Sequence, residues 1–88
     1  SITDSLGWAQ YKRGKLGEAI ATLGRAAAGD PGQWEIREHL GDALYSAGRR
    51  IEARFEWRAA LAASEEEGAR KRLADKIERG LTPATAAP

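Results

Sequence analysis

The 88-residue chain has no cysteine. That excludes a disulfide framework, a thiol nucleophile and thiolate metal sites. Histidine occurs once, at His39, so neither a paired-histidine metal site nor a zinc-hydrolase motif can be built. No apolar run approaches the roughly 18 residues that a spanning helix needs, so no membrane insertion is expected. Valine is absent and other β-branched residues are few, which leaves little material for a sheet. Charge of one sign is also lacking. Fourteen basic and 13 acidic side chains leave a formal net charge of +1, with no general pull toward nucleic acid or acidic lipid. The composition suits a soluble chain of the cytoplasm or periplasm without choosing between them.

What is abundant is alanine, leucine, glutamate, arginine and lysine, a helical composition. Ten glycines interrupt it. Gly14, Gly17, Gly29, Gly32 and Gly48 fall where apolar periodicity breaks and read as helix ends and turns. Gly7 and Gly41 sit inside helical stretches, where glycine costs about 1 kcal/mol against alanine. A glycine there implies that another helix approaches closely.

Sliding the sequence by 34 residues explains both. Ile2 meets Ile36, Leu6 meets Leu40, Gly7 meets Gly41, Ala9 meets Ala43 and Tyr11 meets Tyr45. Gly14 then meets Gly48, Glu18 meets Glu52, Ala19 meets Ala53, Ala26 meets Ala60 and Ala28 meets Ala62. These are ten identities with no gap, where chance would give roughly two or three.

The pattern resembles the tetratricopeptide repeat, a helix–turn–helix unit carrying W-x2-L-G-x2-Y…A-x3-F…P. Leu6-Gly7 and Leu40-Gly41 fill the L-G pair. Ala19 with Leu23, and Ala53 with Trp57, fill the A-x3-F pair; Ala26 and Ala60 take the next small position, and Pro31 the closing proline. Thr3 and Arg37 stand where the family often has a large apolar residue, the tyrosines fall one place late, and the second copy ends in Glu65. The resemblance implies an all-α helix–turn–helix solenoid: a first unit over 1–33, a second over 34–64, a capping helix over 65–81 and a flexible tail over 82–88. It also implies the C-terminal end of a longer bacterial-type array, because only that end shows a cap.

Five helices are expected. They run from about Ile2 to Arg13, Leu16 to Ala28, Asp30-Pro31 to Ala47, Ile51 to Ala63, and onward from Ser64. Asp30-Pro31 reads as an N-cap followed by proline at the first helical position. Ser64-Glu65-Glu66-Glu67 reads as a capping box. The last helix carries Ala69, Leu73, Ile77 and Leu81 as one apolar stripe, with Arg70, Lys71, Arg72, Asp75, Lys76 and Arg79 left for water. Trp57 is expected inside, and Phe55 at the junction with that helix.

Chemical motifs are sparse. Gly14-Lys15-Leu16-Gly17 reads as an inter-helix turn, since no flanking strands make it a nucleic-acid loop. His39 has Asp42 one turn away, but no nucleophile joins them. The basic stripe of Arg49, Arg50, Arg54 and Arg58 is interrupted by Glu52 and Glu56 and reads as a solvated face. No metal site, cofactor, catalysis or nucleic-acid partner is expected.

In the resembling family the first helix of each pair lines a concave groove. That implies a partner-binding face of Asp4, Trp8, Tyr11 and Lys12 on the first helix, and Glu35, Glu38, His39, Asp42 and Tyr45 on the third. Aromatic rings among four carboxylates suit a protein or peptide segment that is basic and apolar. The alternative for Trp8 and the tyrosines is that they are packing residues of a short array. The function so implied is a non-catalytic interaction module, scaffold or adaptor. The alternative is a self-association unit that forms a homodimer through its open N-terminal face.

Overall fold

A computed structural model describes residues 2–82. The chain is all-α, and no strand occurs among the described residues. The five helices are α1 (Ile2–Lys12), α2 (Leu16–Gly29), α3 (Trp34–Ser46), α4 (Arg50–Ala63) and α5 (Glu67–Arg79). None of them is long and apolar enough to cross a membrane. Apart from Thr82, the expected tail lies outside the described residues.

Two helix stops are the same turn made twice. Gly14 has φ +78° and Gly48 has φ +86°, values that glycine alone adopts without strain. After α1, Lys15 N–H donates to Gln10 C=O at 2.9 Å and Gly14 N–H to Tyr11 C=O at 2.9 Å. After α3, Arg49 N–H donates to Leu44 C=O at 2.9 Å and Gly48 N–H to Tyr45 C=O at 3.0 Å. Both are Schellman motifs, which satisfy the last carbonyls of a helix and turn the chain back.

The starts of α3 and α5 differ from expectation. Asp30 ends α2, its N–H donating to Ala26 C=O at 3.1 Å. Its own carbonyl accepts from Gln33 N–H at 3.1 Å, closing a turn around Pro31-Gly32, and α3 begins only at Trp34. The fixed φ of proline suits the second position of a turn as well as the first position of a helix. Ser64 likewise ends α4 rather than opening α5. Its hydroxyl accepts from Glu66 N–H at 3.3 Å, two residues on, and Glu66 is the N-cap. The Arg70 guanidinium caps the end of α4, donating to Leu61 C=O at 2.6 Å and Ser64 C=O at 2.7 Å.

Packing follows chain order: α1 on α2, α2 on α3, α3 on α4 and α4 on α5, with a smaller contact between α1 and α3. Ala19, Leu23 and Ala27 of α2 meet Ile36, Leu40, Ala43 and Leu44 of α3, Ala53, Trp57 and Ala60 of α4, and Leu73 of α5 in one core. Trp57 is fully buried, as expected. Phe55 is not at the α5 junction; it is 66% exposed on the outer side of α4.

The mid-helix glycines are where helices touch. A Cβ on Gly7 would stand 2.6 Å from Leu23 Cγ, and one on Gly41 would run into the Trp57 indole. Leu23 and Trp57 are themselves 34 residues apart, so the same close approach is built twice. Gly24, inside α2, would place a Cβ in open space. Gly24→Ala should therefore raise the urea midpoint, by about 0.4–1 kcal/mol in stability. Gly41→Ala should lower it, because about 1–3 kcal/mol of overpacking exceeds the gain in helix propensity. An unchanged Gly41→Ala midpoint would contradict the close-packing account.

Candidate functional site

The face shared by α1 and α3 carries a stack of rings. Trp8 and Tyr11 are one turn apart on α1, with ring centroids 4.9 Å apart and planes at 26°. Trp8 also stacks with His39 of α3, at 4.2 Å and 23°. The Lys12 ammonium lies over the indole, 5.1 Å from its centroid. His39 Nδ1 lies 2.9 Å from Asp4 Oδ1; the carboxylate only accepts, so Nδ1 carries the proton. The Tyr11 hydroxyl is 3.2 Å from Ser46 Oγ, which pins the far end of the stack to α3. Trp8, Tyr11 and His39 are half-buried and Lys12 is exposed. Part of each ring therefore packs and part reaches solvent. His39 does not pair with Asp42; it faces α1.

Asp42 and Glu38 turn inward, which corrects the expectation of four water-facing carboxylates. Asp42 is 1% exposed and Glu38 is 3% exposed. Lys76 of α5, expected to face water, is fully buried between them. Its ammonium donates to Glu38 Oε2 at 2.8 Å and to Asp42 Oδ1 and Oδ2 at 2.9 and 3.1 Å. Arg72, one turn earlier, grips Glu38 with both ends of its fork, at 2.7 and 2.8 Å. Trp57 Nε1 completes the shell of Asp42 at 3.0 Å. The physical reason is that a buried charge persists only where partners neutralise it, and α3 and α5 each offer two charges at i and i+4.

The two acids respond to burial differently. Burial pushes the Glu38 carboxyl up, but hydrogen bonds from Arg72 and Lys76, helped by their charges, outweigh it and hold Glu38 below its ordinary value. For Asp42 burial wins. The charge and hydrogen bond of Lys76 and the Trp57 N–H oppose it, the negative Glu38 reinforces it, and the carboxyl ends above its ordinary value.

Tyr45 stands apart from the Trp8 stack. Its ring lies 5.5 Å from Trp57, beneath the guanidinium groups of Arg50 and Arg54 at 5.0 and 5.8 Å, and beside Gly80. Arg54 also donates to Ile77 C=O at 2.9 Å, tying α4 to α5. Glu35 is exposed. Of the nine residues expected on one face, the structure brings together Asp4, Trp8, Tyr11, Lys12 and His39, leaves Glu35 in solvent, and commits Glu38, Asp42 and Tyr45 to the packing around Trp57 and α5. The signal for Lys76 was in the spacing. Ala69, Leu73, Lys76 and Gly80, all buried, follow a 4-3-4 seam that the all-four stripe through Ile77 overlooks.

Comparison with protein-family models, with characterised proteins and with solved structures finds no match.

Removing one partner of a buried ion network leaves the others unpaired. Lys76→Met should cost about 3–5 kcal/mol in chemical denaturation. A loss within the range of a surface substitution, below about 0.5 kcal/mol, would contradict the described burial. The acids predict opposite pH dependences. The lowered Glu38 contributes stability that is present above its unfolded value and lost as pH falls through its folded one. The raised Asp42 opposes folding when ionised, and acid relieves that cost. Asp42→Asn removes the compensating group. It should therefore lose stability more steeply than wild type as pH falls through the carboxylate range, measured as urea midpoints across a pH series.

Proposed function

We propose that this chain is a non-catalytic protein–protein interaction module, built as two tetratricopeptide-like helical units closed by α5, which holds an apolar partner segment against α1 and α3. The observation that carries this reading is the half-buried Trp8–Tyr11–His39 stack with Lys12 over it. Aromatic side chains that are partly packed and partly wet are common anchors of protein interfaces. The repeat reading is supported by the 34-residue register, the two matched Schellman turns and the two matched glycine contacts. His39 serves here as a ring of the platform, its Nδ1 engaged by Asp4.

The preference for a basic partner rested on four open carboxylates. Glu38 and Asp42 are neutralised by Arg72 and Lys76, and Asp4 is bonded to His39. Glu35 remains in solvent, so ring contacts set the affinity and charge adds little. A second reading is a homodimer through α1, favoured by Leu6, which is 52% exposed there.

A peptide array read with wild type and Trp8→Ala tests the first reading. Trp8→Ala should weaken capture by about 2 kcal/mol at all ionic strengths, and Glu35→Lys should change only its salt dependence. Peptide binding untouched by Trp8→Ala would remove the platform. Sedimentation across a concentration series separates the second reading, in which Leu6→Ser abolishes self-association.

A further inference from the structure

Two of the three large apolar side chains exposed among the described residues lie one turn apart on α4: Ile51 at 88% and Phe55 at 66%. At this spacing their side chains are neighbours on the helix surface. The fold does not require them. In the first unit the same places, 34 residues earlier, hold Gly17 and Ala21, both exposed. A helix pair of the same design therefore folds with no bulk there. Packing places neither residue, and two such residues side by side on a solvent face mark an interaction surface rather than scattered exposure.

The surroundings indicate what it takes. Ile51 lines a depression of about 380 Å³ with Gly48, Arg49, Arg50 and Glu52. That is room for a side chain or two, and Phe55 stands on the next turn. Charge along α4 and its N-cap is predominantly positive, with Arg49, Arg50, Arg54 and Arg58 against Glu52 and Glu56. The two acids are already engaged, Glu52 by Arg49 at 2.6 Å and Glu56 by Arg37 at 2.9 Å. Arg58, one turn from Phe55, stays exposed, and Arg50 next to Ile51 is exposed with its guanidinium 5.0 Å from the Tyr45 ring, neither meeting a carboxylate among the described ion pairs.

We propose that this outer face of α4 is a second docking surface, separate from the α1–α3 platform, for an acidic amphipathic helical segment. One apolar side chain of the segment enters the depression against Ile51, and another, a turn away, lies on Phe55. Its flanking carboxylates meet Arg50 and Arg58. Anchors spaced at i and i+4 are how a helix is read by a shallow apolar groove, and the uncompensated arginines select acidic flanks. A bilayer offers no protruding side chain to fill the depression, so a protein segment fits the shape better.

The test is selection from a display library of random 16-residue peptides on the whole chain. Wild type, Phe55→Ser, Ile51→Ser, Arg58→Glu and Trp8→Ala are compared, each checked for wild-type helicity. Peptides rich in Asp and Glu, with apolar residues three or four apart, should be enriched. Their binding should fall by about tenfold or more on Phe55→Ser or Ile51→Ser. It should weaken on Arg58→Glu mainly at low salt and be unchanged by Trp8→Ala. Enrichment of basic peptides, or acidic peptides that bind Phe55→Ser as well as wild type, would overturn the proposal. So would binding to phosphatidylserine vesicles that Phe55→Ser removes, which assigns the patch to a membrane surface. Self-association lost on Phe55→Ser would overturn it in favour of a second copy.

Discussion

The C-terminal half of the molecule depends on an ammonium group held out of water. Lys76 has three protons to give and two carboxylates to receive them, and this placement of α5 brings it to both Glu38 and Asp42. An apolar seam tolerates slippage by a turn; a buried cation does not, because each displaced partner would be left unpaired. The constraint runs back into the fold. Asp42 also accepts from the Trp57 indole, and that indole lies against Gly41, where no side chain would fit. Gly41, Trp57, Asp42 and Lys76 form one chain of dependence across α3, α4 and α5. It sets the register of the last helix more strictly than its few buried apolar residues would.

This division explains what was legible in the sequence. The helices, the glycine stops and the equivalence of Gly7 with Gly41 rest on local backbone preference and on a repeat, both of which are written in consecutive residues. Helix starts were less legible, since Pro31 and Ser64 carry chemistry that serves a turn as readily as a cap. Buried charge was not legible residue by residue. Glu38 and Lys76 each look like surface residues, and only the pairing of two acids at i and i+4 with two bases at i and i+4, about 34 positions away, explains their burial. His39 went to Asp4 for a related reason: its neighbour Asp42 was already committed to the interior. The aromatic platform was legible in part. Trp8 and Tyr11 share a face by helical period, whereas Tyr45 was drawn away by Trp57 and the α4 arginines.

The two proposed surfaces differ in origin. The Trp8 stack lies where α1 meets α3, so a surface proposed there for recognition is also a packing contact. Asp4 and Glu38, 34 residues apart, each reach a basic group two helices further on, His39 of α3 in one case and Arg72 of α5 in the other. The α4 patch occupies positions that the design leaves unconstrained, with Gly17 and Ala21 in one unit and Ile51 and Phe55 in the other. Substitutions on α4 can therefore change recognition with little effect on the core, while those at the stack act on both.

Among the described side chains, α1 contributes none to the buried apolar core. It is held by the Gly7–Leu23 contact, partial burial of Tyr11 and the polar and ring contacts to α3. Its backbone hydrogen bonds should exchange with solvent through sub-global opening ahead of those in α3 and α4. Two of the three stacked rings, Trp8 and Tyr11, leave the platform each time α1 opens. A ligand seated there would slow amide exchange across the whole of α1, coupling recognition to the local folding equilibrium of one helix.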